Sequence, residues 1–458
     1  MPRSSELLLQ LLQRFPKHPN QVQQIHCLLI TEGHLLLRNR KWKNTLLFNA
    51  LIRTHLGFGQ TRKSLLLFAR MLLHRAPPNG HTFPSLIKSA SSSLPSLGPP
   101  LHAQALKRGV LRDPFVQTSL LSFYAECGNL RSARKVFEEM SERCVVACNA
   151  MIDAFCKNGD MGSALCIFEG MIKRDVVSWT SVVNGFRMNR RFCEAVRVFG
   201  SMMSCSVKPN EATYVSVLSS CASLDGWGGI YIGKQIHGHI LRNEIHLSVF
   251  MGTAFIDLYG KSGLLNAAKN VFDGMVVKET CCWNAMISAL SSNGREKEAL
   301  DFFERIKMEG LQPNEVTFVA VLTACARGKL VEFGLELFRS MLNDFGVVPV
   351  MEHYGCVVDL LGRAGLLREA AEFVQSMPFE PDASVLGALL GASKIHGTTE
   401  LGNEVGQKLI DMQPQHSGRY VVLSNINAAT QRWNRAAYLR KMMLNAGVQK
   451  TLAYSVIT

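Results

Sequence analysis

The chain contains one sequence with the spacing of a known catalytic motif, near its middle. Gly228, Gly233 and Lys234 fit the G-x4-G-K pattern of a loop that surrounds the phosphates of a nucleotide. Such a loop follows a β-strand and needs serine or threonine after the lysine to hold Mg²⁺. Gln235 stands at that place, and the surrounding residues have helical spacing. We therefore interpret the match as chance.

Histidine and cysteine spacings do not indicate a metal centre or a nucleophile. None of the 13 histidines begins an H-x-E sequence that is followed by C-x2-C, the pattern of zinc-dependent deaminases. Cys144 and Cys148 are four residues apart, and Cys281 and Cys282 are adjacent, so neither pair has the C-x2-C spacing of a zinc site. The odd total of 13 cysteines, with no signal peptide, favours a reducing compartment. We predict no enzymatic activity, no cofactor and no bound metal.

A short helical pattern recurs along the chain and indicates how it is organised. It consists of alanine, an aliphatic residue three positions later, phenylalanine at four and usually methionine at seven, which places all four on one side of a helix. The pattern occurs at Ala133–Met140, Ala164–Met171, Ala195–Met202, Ala268–Met275 and Ala299–Ile306. The closing residues Met140, Met171 and Met202 are 31 residues apart, whereas the separations from Ile306 to Met341 and from Met341 to Met377 are 35 and 36. A recurrence of this kind predicts an array of helical hairpins.

Turn residues divide each repeating unit into two helices. Glycines such as Gly128 and Gly159 follow the first helix, where the left-handed conformation suits glycine. Pro209 and Pro313 lie between units, where proline ends the second helix. Because no stretch has the alternating pattern of a strand, the predicted fold is an all-α solenoid.

The charge of the chain indicates what kind of partner such an array would bind. Lysine and arginine outnumber acidic residues, which gives a net charge of +14. A basic array favours a polyanion, with nucleic acid first and an acidic membrane surface second. No apolar run reaches the roughly 18 residues that a membrane span requires, and we predict no membrane association.

Several longer phrases are specific enough to suggest a family. They are Gly233-Lys234-Gln235-Ile236-His237-Gly238, Ala324-Cys325-Ala326, Asp359-Leu360-Leu361-Gly362-Arg363-Ala364-Gly365-Leu366, Gly387-Ala388-Leu389-Leu390-Gly391-Ala392 and Tyr420-Val421-Val422-Leu423-Ser424-Asn425. With the alternating unit lengths, they resemble the plant pentatricopeptide repeat (PPR) family, in its PLS subclass and E subgroup. The resemblance implies a right-handed superhelical solenoid of helix-turn-helix hairpins. It also implies that the DYW deaminase domain of some relatives is absent.

The resemblance divides the chain into three parts. Residues 1–44 form an N-terminal segment, either a short transit peptide with a degenerate repeat or an ordinary first helix. Residues 45–382 hold about ten repeats, and residues 383–458 hold the C-terminal extended (E) motifs. The repeats are 45–79 (P), 80–113 (L), 114–144 (S), 145–175 (S), 176–210 (P), 211–248 (L), 249–279 (S), 280–314 (P), 315–350 (L) and 351–382 (S).

The resemblance also implies which residues contact RNA. In the family each repeat faces one base, which is read by the fifth and the last residue of that repeat. Carried onto this chain, the base-reading residues are Asn49, Asn79, Thr118, Asn149, Asp175, Thr180, Asn210, Thr253, Asn284 and Asn314. The second residues Leu46, Val146 and Val177 would lie on either side of the bases.

The pairs of residues imply base preferences. Asn149 with Asp175 implies U, Thr180 with Asn210 implies A, Asn284 with Asn314 implies C or U, and Asn49 with Asn79 implies a pyrimidine. Thr118 and Thr253 indicate purines, although their last residues, Cys144 and Glu279, are not the usual partners. The alternative is that asparagine and threonine at these places only cap helices.

The implied function is sequence-specific binding of single-stranded RNA in a plant organelle, as a site-recognition factor for C-to-U editing. A DYW-type cytidine deaminase and editing cofactors would be recruited in trans through residues 383–458. The protein would be a monomer, located in the mitochondrion or alternatively in the chloroplast. The alternatives are a factor for RNA splicing, processing or stability, or a protein-binding scaffold of the tetratricopeptide kind. The alternating unit lengths count against the scaffold, which would have a steady period.

Overall fold

The computed structural model describes residues 5–14, 18–36, 41–140, 143–224 and 227–449. These residues contain 26 α-helices and two short 3-10 helices, and no strand lies among them. The chain forms two compact units, Met1–Ser220 and Cys221–Thr458. The predicted all-α array of helical hairpins is confirmed. Parts of the predicted N-terminal segment (1–4, 15–17 and 37–40) and of the E segment (450–458) lie outside the described residues.

The first unit consists of successive helices joined by short turns, and it ends one residue before the end of the last of them. They are α1 (Ser5–Arg14), α2 (Pro19–Thr31), α3 (Lys41–Gly57), α4 (Thr61–Leu73), α5 (Thr82–Ser93), α6 (Gly98–Lys107), α7 (Pro114–Glu126), α8 (Leu130–Glu138), α9 (Val145–Lys157), α10 (Met161–Gly170), α11 (Val176–Met188), α12 (Phe192–Ser204) and α13 (Glu211–Cys221). The 3-10 helices are His34–Leu36 and Pro95–Leu97. In α1, Leu8 and Leu12 are buried, and the helix packs on α2 and α3.

The second unit has the same organisation. Its helices are α14 (Trp227–Arg242), α15 (Val249–Lys261), α16 (Leu265–Gly274), α17 (Thr280–Ser292), α18 (Glu296–Met308), α19 (Glu315–Gly328), α20 (Val331–Asn343), α21 (Met351–Ala364), α22 (Leu367–Gln375), α23 (Ala383–His396), α24 (Thr399–Met412), α25 (Ser417–Ala429) and α26 (Trp433–Asn445). The glycine–lysine motif lies inside α14, as its helical spacing predicts, and therefore does not form a phosphate-binding loop.

Each odd-numbered helix from α3 to α21 is the first helix of a repeat, and first helices of neighbouring repeats pack on one another. Within the first unit α7 packs on α9 and α9 on α11, and within the second unit α15, α17, α19, α21 and α23 pack in the same succession. The turns after many first helices use glycine as predicted. Gly159 has φ +81° and Gly365 has φ +86°, in the left-handed region.

In several second helices the recurring phenylalanine packs on an aromatic residue of the next repeat. Phe168 meets Trp179 edge to face with ring centroids 4.9 Å apart, and Phe272 meets Trp283 at the same separation. Similar contacts join Phe68 to Phe83, Phe199 to Tyr214 and Phe303 to Phe318. In all five contacts the second aromatic residue is the fourth residue of its repeat. The contact therefore sets the register between one repeat and the next.

A basic residue closes the C-terminal end of several second helices. The Arg174 guanidinium lies over the Phe168 ring, and its nitrogens donate to the carbonyls of Phe168 (2.8 Å) and Glu169 (2.7 Å). Lys278 lies over Phe272 in the same way and donates to the Met275 carbonyl at 2.6 Å. A cation at this place satisfies carbonyls that have no partner within the helix.

The first helices pack so closely that we expect two glycine-to-alanine substitutions to have opposite effects on stability. A Cβ at Gly362 on α21 would lie 2.6 Å from the Ala392 Cβ on α23, whereas a Cβ at Gly391 would meet nothing within 4 Å. We expect Gly362→Ala to lower the free energy of unfolding by about 1 kcal/mol or more through overpacking. The matched Gly391→Ala should raise it by about 0.5–1 kcal/mol, because alanine favours the helix. Denaturant unfolding followed by circular dichroism measures both, and equal effects would contradict this packing.

Candidate nucleic-acid interface

The last residue of many repeats caps the first helix of the next repeat. The side chain of Asp175 accepts a hydrogen bond from the Ser178 N–H at 2.8 Å, at the start of α11. Asn314 accepts one from the Thr317 N–H at 3.1 Å, at the start of α19. These bonds satisfy backbone donors that have no partner within the helix. The capping role that the sequence offers as an alternative is therefore present at these positions.

The same oxygen atom also accepts a hydrogen bond from the fifth residue of the preceding repeat. Asn149 Nδ2 donates to Asp175 Oδ1 at 3.2 Å. Asn284 Nδ2 donates to Asn314 Oδ1 at 3.1 Å, and Asn49 Nδ2 donates to Asn79 Oδ1 at 3.0 Å. Three pairs that the sequence assigns to base reading thus lie in direct contact.

A third donor on this oxygen is a hydroxyl that the sequence analysis missed. It belongs to the third residue of the following repeat. Ser178 Oγ donates to Asp175 Oδ1 at 2.9 Å, and Thr317 Oγ1 donates to Asn314 Oδ1 at 3.1 Å. The spacing of Asp or Asn with Ser or Thr three residues later is that of a capping box and was the available signal.

Because Oδ1 of the last residue already accepts three hydrogen bonds, only the second polar atom of that side chain is available to a ligand. Asp175 keeps Oδ2, an acceptor, and Asn314 keeps Nδ2, a donor. Partial burial alone would raise the pKa of Asp175, but hydrogen bonds from the Ser178 backbone, the Ser178 hydroxyl and Asn149 outweigh it and lower this pKa. Asp175 is therefore a carboxylate at neutral pH, and the two repeats present opposite hydrogen-bonding groups.

Two of the fifth residues carry an unsatisfied acceptor. Asn149 is 8% exposed and Asn284 6%, and the Oδ1 of each has no hydrogen-bond partner among the described residues. A buried carbonyl oxygen without a partner costs about 1–3 kcal/mol. Asn49 differs, because its Oδ1 accepts from the Thr82 hydroxyl at 2.7 Å.

The remaining predicted pairs are arranged differently. Thr180 and Asn210 are joined through Thr213, whose hydroxyl lies 2.6 Å from that of Thr180 and donates to Asn210 Oδ1 at 2.8 Å. Thr118 donates to the Pro114 carbonyl at 2.7 Å.

Thr253 is not paired with the last residue of its repeat. Its hydroxyl lies 3.3 Å from Cys282 Sγ, whereas Glu279 makes no side-chain cap on α17. The structure therefore does not bring Thr253 and Glu279 together, in line with the unusual identity of that pair.

Apolar second residues stand out into solvent beside these pairs. Leu46, Val146 and Val177 are all exposed, with Val146 at 64%. The same register position holds exposed side chains that the sequence analysis did not single out: Phe115, Phe250 and Val316. Exposed apolar and aromatic side chains at a fixed interval suit stacking against planar rings.

Charged residues continue the same face of the first helices. Asp153 lies one helical turn beyond Asn149 and Lys157 lies two turns beyond it, and the two form an ion pair at 2.7 Å. The same arrangement occurs at Asp257 with Lys261 and at Asp359 with Arg363. In the first unit a groove of about 510 Å³ follows this face across α3, α5 and α7. Arg53 and Lys88 line it.

Two other classes of site have no counterpart among the described residues. Among those residues, no helix is long and apolar enough to cross a bilayer. No set of three or more His, Cys, Asp and Glu side chains in the same ranges is grouped as metal ligands would be.

Stability offers a test of the double role of Asp175. We expect Asp175→Ala to lower the free energy of unfolding by about 1 kcal/mol, because it removes the cap of α11. Because the pKa of Asp175 is lowered in the folded protein, the charged carboxylate stabilises the fold at any pH above the usual pKa of an aspartate. This stabilisation is lost as the pH falls through the lowered pKa. Cys144→Ala is the control, since Cys144 precedes α9 without a side-chain cap. Equal unfolding midpoints for the two variants at neutral pH would contradict the capping role.

Comparison with known proteins gives matches along most of the chain. The PPR repeat family profile matches residues 143–176, 174–223 and 278–327. A PPR repeat profile matches residues 118–145, 253–279, 316–344 and 352–380. An E motif profile matches residues 396–458.

The chain is also similar to individual proteins of known sequence and to solved structures. A pentatricopeptide repeat-containing protein of Arabidopsis thaliana is 53% identical over 459 residues, covering 99% of this chain and 98% of the relative. A second Arabidopsis protein of that description is 45% identical over 416 residues, covering 91% of this chain and 67% of its own. The crystal structure of a pentatricopeptide repeat protein from maize aligns with 97% of this chain and 74% of its own, with a TM-score of 0.49 and 16% identity.

Proposed function

Because the chain belongs to the pentatricopeptide repeat family and carries an E motif, we propose that it recognises a specific single-stranded RNA in a plant organelle and marks a cytidine for C-to-U editing. The observation that carries this proposal is the hydrogen bond between the fifth and last residues in three repeats. Each such pair holds its side chains in one orientation while one polar edge stays unused.

The unused edges account for the base preferences. Asp175 Oδ2 would accept the N3–H of U. Asn314 Nδ2 would donate to the N3 acceptor of C. The pairs Asn149/Asp175 and Asn284/Asn314 would thus separate the two pyrimidines by chemistry at one atom.

Stacking and charge would complete the interface. The exposed second residues Leu46, Val146 and Val177 lie at the right register to hold bases between them. Lys157, Lys261 and Arg363 lie on the same helix faces and would contact phosphates. Exposed i,i+4 ion pairs contribute only about 0.3–0.5 kcal/mol, so exchanging Asp for a phosphate costs little.

Editing requires a deaminase, which we propose is of the DYW type and is recruited in trans with editing cofactors through residues 383–458. The described helices of this segment expose Trp433 and Tyr438 on α26, and aromatic residues of this kind are common at protein interfaces. We propose that the protein acts as a monomer of the PLS subclass in the mitochondrion, or alternatively in the chloroplast. A role in RNA splicing, processing or stability would use the same RNA interface without the deaminase.

Base identity at one repeat tests the RNA-reading proposal. We expect Asn149→Thr to shift preference at its base from U to G. The shorter threonine side chain leaves room for a purine, and the N1–H of G is a donor for Asp175. The variant should bind RNA with G at this base more tightly than RNA with U, the reverse of the unmodified protein. We expect each dissociation constant to change by roughly tenfold. Asn184→Thr, on the same surface but outside the predicted pairs, is the control. An unchanged base profile in Asn149→Thr would remove Asn149 from the reading residues.

Organellar transcripts test the editing role. In a plant line that lacks the protein, we expect one cytidine downstream of a matching site to lose editing, as read by transcript sequencing. Expression of the full chain should restore it. A chain ending at 382 should retain RNA affinity but fail to restore editing. Normal editing with defective splicing or altered transcript ends would favour the alternative role.

A further inference from the structure

Three donors surround a single oxygen atom at the end of repeat 280–314. Asn314 Oδ1 accepts from the Thr317 N–H, the Thr317 hydroxyl and Asn284 Nδ2, each at 3.1 Å. The Thr317 hydroxyl oxygen in turn accepts from the Asn314 N–H at 3.0 Å. This arrangement determines which atom of the amide is oxygen. An NH₂ group there would face the Thr317 N–H and the Asn284 NH₂, and the Thr317 hydroxyl would lose the acceptor for its proton.

We propose that the Thr317 hydroxyl is a positioning group for base specificity, which keeps the Asn314 amide turned so that its NH₂ faces the base. The inference rests on the proposed RNA-reading function and concerns a residue that contacts no base. Without the hydroxyl, two donors remain on Asn314 Oδ1. Rotation of the amide then costs less, and the repeat presents a donor in some molecules and an acceptor in others.

The Asp175 repeat provides an internal comparison. Ser178 makes the same two hydrogen bonds to Asp175 as Thr317 makes to Asn314, with its N–H at 2.8 Å and its hydroxyl at 2.9 Å. Asp175, however, has two equivalent carboxylate oxygens, so rotation of its side chain always presents an acceptor. Loss of the Ser178 hydroxyl would remove one hydrogen bond, but the group facing the base would still be an acceptor oxygen.

The same hydroxyl contact occurs at other asparagines that end a repeat. Thr213 donates to Asn210 Oδ1 at 2.8 Å. Thr82 lies 3.1 Å from Asn79 Oδ1 but also 2.7 Å from Asn49 Oδ1, so its single proton is shared between two acceptors. The inference therefore predicts that the hydroxyl restrains Asn79 less firmly than Thr317 restrains Asn314.

Binding of the full-length protein to RNAs that differ only at the base facing repeat 280–314 tests the proposal. We expect Thr317→Val to reduce the ratio of the dissociation constants for U and C by roughly 3- to 10-fold, the factor that one neutral hydrogen bond provides. Thr317→Ser should keep the ratio of the unmodified protein. Ser178→Ala should keep the U preference at its own base, and comparison of its unfolding midpoint with that of Thr317→Val separates loss of stability from loss of specificity.

A second pair of variants tests the mechanism within one repeat. In the Asn314→Asp protein, addition of Thr317→Val should leave the base ratio unchanged, because a carboxylate has no donor side to turn outward. An unchanged ratio in Thr317→Val alone, or an equal loss in Ser178→Ala, would overturn the inference. Failure of the unmodified protein to prefer any base at this repeat would instead overturn the RNA-reading function itself.

Discussion

The edge-to-face contact between one repeat's phenylalanine and the next repeat's fourth residue is the interaction on which the rest of the structure depends. Phe168 against Trp179 and Phe272 against Trp283 fix how far one hairpin is turned from the next. The fifth residue, Thr180 or Asn284, follows the aromatic residue directly in the chain. Burial of one side chain therefore sets the direction of its neighbour, and a polar residue is held at the surface by the packing beneath it.

At the ends of the repeats, capping and ligand reading are compatible because an Asp or Asn side chain has two polar atoms. Asp175 and Asn314 each use one atom to complete a helix terminus and leave the other free. A side chain already held by a helix cap loses little further conformational freedom when a ligand binds. Capping and the proposed base reading would thus use two different atoms of one residue.

Much of this could be predicted from the sequence because the repeat period carries it. The all-α hairpins and the glycine turns follow from spacing, and the contact of Asn149 with Asp175 agrees with their register. The hydroxyls of Ser178 and Thr317 were missed because a sequence pattern does not state which rotamer a short polar side chain adopts. The failure of Thr253 to meet Glu279 has a similar cause, since Cys282 occupies the register position that Ser or Thr takes elsewhere.

The Asp–Lys and Asp–Arg pairs on the first helices have a consequence for how long a bound strand would stay. Lys157 has Asp153 within 2.7 Å, so a phosphate that reaches the lysine must displace a carboxylate tethered one turn away. That carboxylate would remain nearby at a high effective concentration and would recapture the lysine whenever the phosphate moved off. Each pair would therefore compete with the bound strand and speed release of its backbone. The residence time on a given sequence would then depend more on the base contacts than on the charge of the array.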